Sequence, residues 1–404
     1  MISVSEAFQH VSDNVTVTES EDVALKQCLG RVLAEDMASR LSHPPVAVSS
    51  MDGYALSAAD TENAPVTLKQ IGESQAGGGF EGTLGSGQTV RIFTGAPLPD
   101  GADAVQMQEN TKADGDVIQI LESVPVDRFV RSAGMDFSQG DVLIKAGTVL
   151  GARHIGLAAA MNLPALPVRR KPRVAILATG NEVALPGTDL GPSQIITSNS
   201  FALHAYVTAM GGEPVDLGIS GDTEEQLHAA LKGAMECDVL VTIGGVSVGD
   251  YDLVGKVLMD EGMTQIFHKI AMRPGKPLLF GKIGQLTVFG MPGNPVSTGV
   301  CSMLYLQRAL RVMLAMKDII EPRQTAVLGE DIAANDLRQD YLRARLETNS
   351  DGERIAMPFS KQDSAMQARF AEANCLIVRA PDAEPVPTGQ RVEILLLHGS
   401  LLSL

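Results

Sequence analysis

The chain has 404 residues, 45% of them apolar and only 4% aromatic, and its 48 acidic against 32 basic side chains leave a net charge of −16. That length exceeds one core and predicts several domains, while so acidic a balance excludes nucleic acid or an anionic membrane as the main partner, since both need a basic surface. No run of about 18 uncharged apolar residues marks a membrane span, and the start from Met1 to Val15 has no basic stretch leading into an apolar one, so the expected location is cytoplasmic.

Ser3 and Glu6 form a capping-box pattern ahead of a helix predicted over 3–15. Helical spacing continues over 21–36 and ends in a Ser/Pro-rich loop at 39–50. From 64 to 150 the character changes to short runs such as Val66-Thr67-Leu68 and Thr89-Val90-Arg91-Ile92-Phe93, with glycines at 77–79, which reads as a small β-rich domain. A helix near 153–162 leads to Pro167–Pro172, where Arg169, Arg170 and Lys171 sit between prolines as a linker. Residues 173–179 are then a near-continuous apolar run, the mark of a strand covered on both faces. Helices at 199–210, 224–235 and 252–261 alternate with strands at 214–219, 238–243, 264–270 and 286–290. A long apolar helix, 296–316, closes this stretch. The alternation predicts a doubly wound α/β domain over about 173–320. Beyond Pro322 short strands and turns return, pointing to a β-barrel or sandwich.

Four scattered cysteines, Cys28, Cys237, Cys301 and Cys375, form no metal-binding pattern and are expected as reduced thiols. The chemistry sits elsewhere. Ligands of open α/β sheets bind beyond the carboxyl ends of the strands, and here two buried strands run into polar glycine loops. One is Thr179-Gly180-Asn181-Glu182; the other is Gly244, Gly245, Val246, Ser247, Val248, Gly249, Asp250, Tyr251 and Asp252. Glycines let backbone N–H groups approach a phosphate. Carboxylates beside a phosphate call for a hard divalent cation, and Mg²⁺ fills that part in phosphate chemistry. Taken singly, each glycine also fits a tight turn and each acid a helix cap.

Two further loops carry the same mark. Arg273-Pro274-Gly275-Lys276-Pro277, with Lys269 just before it, places three cations within eight residues as a candidate oxyanion site. Pro292-Gly293-Asn294-Pro295-Val296-Ser297 leads into the long helix with Pro295 in its first turn. In the β-rich part, Ser49–Ala55 (with Asp52) and Arg91–Pro97 (with Thr94) are polar loops. A P-loop signature is lacking.

In this order the six motifs SMDGYA (50–55), TGAP (94–97), TGNE (179–182), GGVSVGDYD (244–252), PGKP (274–277) and PGNPVS (292–297) resemble the molybdopterin molybdenumtransferase family over essentially the whole chain. The resemblance implies an elongated linking domain (1–45 and 141–172), an inserted β-rich domain (46–140), a central molybdopterin-binding α/β domain (173–320) and a C-terminal β-barrel (321–404), assembled as a homodimer. It implies insertion of molybdate into adenylylated molybdopterin with Mg²⁺-dependent release of AMP. Molybdopterin adenylyltransferase and downstream cofactor-handling proteins are then the expected partners.

It also assigns residues. Asp52, Thr94, Glu182, Asp222 and Asp252 match catalytic positions, the last three as the metal's carboxylates. Arg131, Asp136, Lys269, Lys276, Pro292, Asn294, Pro295, Ser297, Arg343 and Ser364 match substrate positions, beside the loop residues Gly244, Gly245, Ser247, Gly249 and Asp250. Arg273 stands where the family commonly has Lys, and Gln362–Arg369 matches its motif loosely. The related adenylyltransferase is disfavoured because its loop reads Gly-Gly-Thr-Gly on a single domain. A receptor-anchoring scaffold role goes with a longer, linker-bearing chain.

Overall fold

The structure, a computed structural model, describes residues 1–245, 253–318 and 323–397. Its centre is a six-stranded sheet in the order Glu213–Ser220, Arg173–Thr179, Val239–Ile243, Leu286–Met291, Leu279–Ile283, Thr264–His268. The first four strands are parallel, Leu279–Ile283 runs against them, and Thr264–His268 pairs antiparallel with it in turn. The strand Leu279–Ile283 is missing from the sequence reading, because Gly281 and Lys282 break its apolar run.

The apolar run at 173–179 is buried on both faces because its residues alternate between two cores. Val174, Ile176 and Ala178 face the helices Asn199–Ala209 and Pro295–Cys301, the latter continuing through a π turn to Met313. Ala175 and Leu177 face Glu224–Leu231 and Leu253–Asp260. Each fully buried aliphatic side chain is worth about 1.5–3 kcal/mol, so this one strand ties both helical layers together. The doubly wound expectation holds. The helix Val4–Asp13, capped by Ser3 and Glu6 as predicted, lends Val4, Ala7 and Val11 to the first core, and Arg308 Nε donates to Phe8 O (3.1 Å) and Ser12 Oγ (2.7 Å).

Two expectations fail at the linking segment. Residues 21–36 are not a helix: Ser20–Ala24 is a strand, followed by one 3₁₀ turn, Leu25–Gln27. The supposed linker supplies its partner, since Ala165–Arg169 pairs antiparallel with Ser20–Ala24. On its other edge this strand meets residues 32–34, where Pro167 O accepts from Ala34 N–H (2.9 Å) and Arg169 N–H donates to Val32 O (2.8 Å). Local helical spacing lost to a strand partner more than 140 residues away.

Arg170 anchors this ribbon to the central sheet. Its Nη1 and Nη2 donate to Asp238 Oδ2 (2.9 Å) and Oδ1 (2.8 Å), and its Nε to Glu19 Oε2 (2.9 Å). Arg173 N–H also donates to Asp238 Oδ2 (2.7 Å). Burial pushes the Asp238 carboxyl up, but the hydrogen bonds and charges of Arg170 and Arg173 together outweigh it and hold the group below its ordinary 3.8. Because the folded value is depressed, this stabilisation is complete above pH 3.8 and is lost as pH falls through the folded-state value. Asp238→Asn is expected to lower unfolding free energy by roughly 1.5–3 kcal/mol, the range for hydrogen bonds to a charged group. It should also flatten the acid limb of the stability profile. Denaturant titrations at neutral pH and well below pH 3.8 measure both, and midpoints equal to the parent's at the two pH values refute the anchor.

The β-rich part is a curled sheet in the order Ala104–Met107, Gly53–Leu56, Gln88–Ile92, Val66–Ser74, Val117–Ile120, Thr111–Asp114. The C-terminal part is a closed barrel. Gln339–Thr348 pairs on one side with Arg354–Pro358 and on the other with Cys375–Arg379, while Gln324–Leu328 and Arg391–Leu396 complete the ring. All four cysteines are free and buried. Among the described residues no helix is long and apolar enough to cross a membrane.

Candidate active site

The polar loops singled out in the sequence gather in two places. At the first, Asp52 Oδ1 accepts hydrogen bonds from Thr94 N–H (2.7 Å) and Thr94 Oγ1 (2.8 Å). These bonds, the backbone one foremost, hold the exposed Asp52 carboxyl below its ordinary value. Ser49 and the 94–97 turn are laced together, with Gly95 N–H donating to Ser49 O (2.8 Å) and Ser49 N–H to Ala96 O (3.0 Å). Behind them lies a cleft of about 620 Å³ lined by His43, Pro45, Gly77, Gly95, Arg131 and Asp136. Asp136 N–H donates to His43 O (3.0 Å), and the His43 ring stacks on Phe137 at 5.5 Å. The 94–97 motif and the Arg131–Asp136 segment thus share one cleft, and His43 joins them without having been marked by any motif.

The second place is the carboxyl edge of the central sheet. Asn181 N–H donates to Asp222 Oδ2 (3.0 Å), and Asp222 N–H returns a bond to Asn181 Oδ1 (3.4 Å). The Glu182 carboxylate occupies the space a side chain at Gly180 would fill, 2.5 Å from an added Cβ. Glu182 and Asp222 therefore stand on adjoining loops of neighbouring parallel strands. Gly244 and Gly245 are both left-handed (φ +85° and +65°). A Cβ on Gly245 would stand 2.3 Å from Val254, so this turn accepts only glycine without strain. Ser247, Gly249, Asp250 and Asp252 lie outside the described residues. Among the described residues no three His, Cys, Asp or Glu side chains stand together as a metal site.

The Pro292–Ser297 loop is held from two sides. Asn199 Nδ2 donates to Gly293 O (2.7 Å), and Thr298 Oγ1 closes back on Pro292 O (2.5 Å). From the barrel comes Ser364: its Oγ accepts from Asn294 Nδ2 (3.0 Å), and its carbonyl accepts from Val296 N–H (3.1 Å). Pro295 opens the helix and Ser297 is buried in its first turn. The barrel and the α/β domain thus meet at the start of this helix, and Ser364, the loosest sequence match, sits in the contact.

Arg343 stands beside it. It is 1% exposed and heads the ranking of fully buried side chains by volume. Its Nε donates to Gln362 Oε1 (3.1 Å) and its Nη1 to Asp363 O (2.7 Å). Both acceptors are neutral, and among the described residues no carboxylate is in ion-pair contact with it. Burial pulls its affinity for the proton down, and Asp363 offsets this only through space. Buried charges are ordinarily paired, so an unpaired one is able to take an anion as its counter-charge.

The cation loop is divided. Lys269 has a left-handed backbone (φ +74°), Ile270 N–H donates to Lys276 O (2.9 Å), and Cys301 Sγ contacts Gly275 O (3.7 Å). Neither lysine has a carboxylate partner among the described residues. Arg273 differs from the expectation of three available cations: it reaches the barrel, pairing with the buried Asp340 and with Asp336 (3.5 Å). Its charge fastens the barrel down and is not free for a ligand.

Sequence profiles described as "MoeA N-terminal region (domain I and II)", "Probable molybdopterin binding domain" and "MoeA C-terminal region (domain IV)" match residues 2–162, 175–312 and 325–397. A "Molybdopterin molybdenumtransferase" of Nostoc sp. is 34% identical over 94% of this chain and 89% of its own length. One from Bacillus subtilis is 33% identical over 98% and 94%. The chain belongs to the molybdopterin molybdenumtransferase family. A solved molybdopterin biosynthesis MoeA protein from Pyrococcus horikoshii superposes with TM-score 0.88 at 32% identity, over 99% of this chain and all of that one. This transferase therefore has the family's fold throughout, including the closed barrel.

Sequence reasoning missed three residues that build the site: His43, Asn199 and Gln362. Asn199 looked like an ordinary helix-start residue, and Gln362 lay in the motif that matched worst.

Proposed function

We propose that this transferase inserts molybdate into adenylylated molybdopterin with Mg²⁺-dependent release of AMP, yielding the molybdenum cofactor. The observation that carries this reading is the buried, unpaired Arg343 beside Ser364 and Asn294. A tetrahedral oxyanion supplies the missing counter-charge, and Lys276, Ser297 and Ser364 add donors of the charge-assisted kind. Glu182 and Asp222, with Asp252, would hold the Mg²⁺, which neutralises charge on the nucleotide's phosphates. The room left at Gly180 for the Glu182 carboxylate favours such a ligand set, as does the Asn181–Asp222 bond that fixes its neighbour.

The nucleotide's backbone-binding partners are Gly244 and Gly245, with Lys269 as a nearby cation. Asp52 and Thr94 belong to the same chemistry, with Arg131 and Asp136 orienting the pterin in their cleft. Among the described residues no hydrogen bond, ion pair or shared core links 46–140 to the α/β domain. We assign Asp52 and Thr94 to the partner subunit's site in a homodimer. A cytoplasmic setting, with adenylyltransferase as supplier of the nucleotide, follows from the substrate.

The test is AMP release from adenylylated molybdopterin by the purified chain. Release that requires both molybdate and Mg²⁺ is expected; release at the same rate without molybdate rejects the reading.

A further inference from the structure

Gln362 spends its whole side-chain amide in hydrogen bonding, and most of it on one residue. Its Oε1 accepts from Arg343 N–H (3.0 Å) and from Arg343 Nε–H (3.1 Å). Its Nε2 donates to Arg343 O (2.9 Å) and to Phe359 O (2.9 Å). Exchanging the amide's two ends would set N–H against N–H at Arg343 and carbonyl against carbonyl at the other side, so the network itself fixes the orientation. The neighbouring Asp363 carbonyl holds Nη1. Two edges of a planar guanidinium are thereby pinned, and among the described residues no protein acceptor takes Nη2.

We propose that Gln362 is a positioning residue that presents Arg343 to the oxyanion, which rests on the reading of Arg343 as the molybdate site. The chemistry explains why the clamp is an amide. A carboxylate at 362 would accept the same two N–H bonds, but it would also give Arg343 a resident counter-ion in competition with molybdate. An apolar residue would leave a long side chain free to turn, and the bidentate fork that suits an oxyanion needs a fixed plane. Gln362 orders the guanidinium and leaves its positive charge unspent.

The experiment compares Gln362→Glu, Gln362→Ala and Arg343→Ala in the full chain. Readouts are the Tm shift produced by sodium molybdate and the KM for molybdate against the KM for adenylylated molybdopterin. Gln362→Glu, whose second oxygen would face the Arg343 and Phe359 carbonyls, is expected to fold with a lowered Tm while its molybdate affinity falls about tenfold or more, the scale of a hydrogen bond to a charged group. Gln362→Ala should weaken molybdate as well, and neither should move the nucleotide KM. A purely structural residue would instead impair both substrates together, which overturns the proposal, as does failure of both variants to fold. If Arg343→Ala loses molybdate while both Gln362 variants bind it as the parent does, the positioning role alone falls. If Arg343→Ala binds molybdate normally, the oxyanion reading beneath it falls.

Discussion

Replacing Arg343 by Ala is expected to raise the molybdate concentration needed for half-maximal AMP release by about a hundredfold, with the adenylylated molybdopterin requirement nearly unchanged. A hundredfold corresponds to about 2.7 kcal/mol, inside the range of about 2–5 kcal/mol for truncating one side of a buried charge pair. The asymmetry between substrates is the diagnostic part. The Arg343 guanidinium is buried, held among the described residues by Gln362 and the Asp363 carbonyl, and borders Ser364 at the start of the Pro295 helix. Among the described residues no hydrogen bond links Arg343, Gln362 or Ser364 to Gly244 or Gly245, which meet this region only through Gly244 N–H on Met291 O (3.2 Å). Removing the cation also removes an unpaired buried charge, so the variant should fold, and added molybdate should stabilise the parent but not the variant. Equal loss for both substrates would instead point to a general defect and reject this site.

Mixing an Asp52→Ala chain with an Asp252→Asn chain is expected to restore activity that neither has alone. If one subunit's Asp52 completes the other's α/β-domain site, a mixed dimer carries one intact site and one doubly defective site. Random exchange makes half the dimers mixed, so activity should return to roughly a quarter of the parent's, as twofold symmetry requires. The structural motive is the separation noted above: the Asp52–Thr94 pair sits on a curled sheet with its own cores. That sheet is joined to the rest through segments on either side of residues 46–140, and it shares no core with the central sheet. Activity that stays at the level of the parents' inactive variants, with exchange verified by differently tagged chains, would place both halves of the site in one subunit.

The residues that announced this protein's chemistry were legible because local backbone constraints write themselves into sequence. A strand covered on both faces must be apolar throughout, as 173–179 is, and a left-handed turn under Val254 must be glycine, as Gly245 is. Six such constraints in order identified the family, and the alternation of elements determined the α/β domain. Only tertiary structure decided the rest. Residues 21–36 have helical spacing, yet the antiparallel pairing of Ser20–Ala24 with Ala165–Arg169 overrode it. Arg273 reads as a ligand cation until Asp340 and Asp336 of the barrel claim it. Asn199 carries no motif and Gln362 only the loosest match, because a side-chain amide gains its role from the partners that distant strands bring to it. Propensity and turn chemistry act over a few residues. Charge pairing and positioning act across whatever the fold makes adjacent, and no spacing along the chain records that.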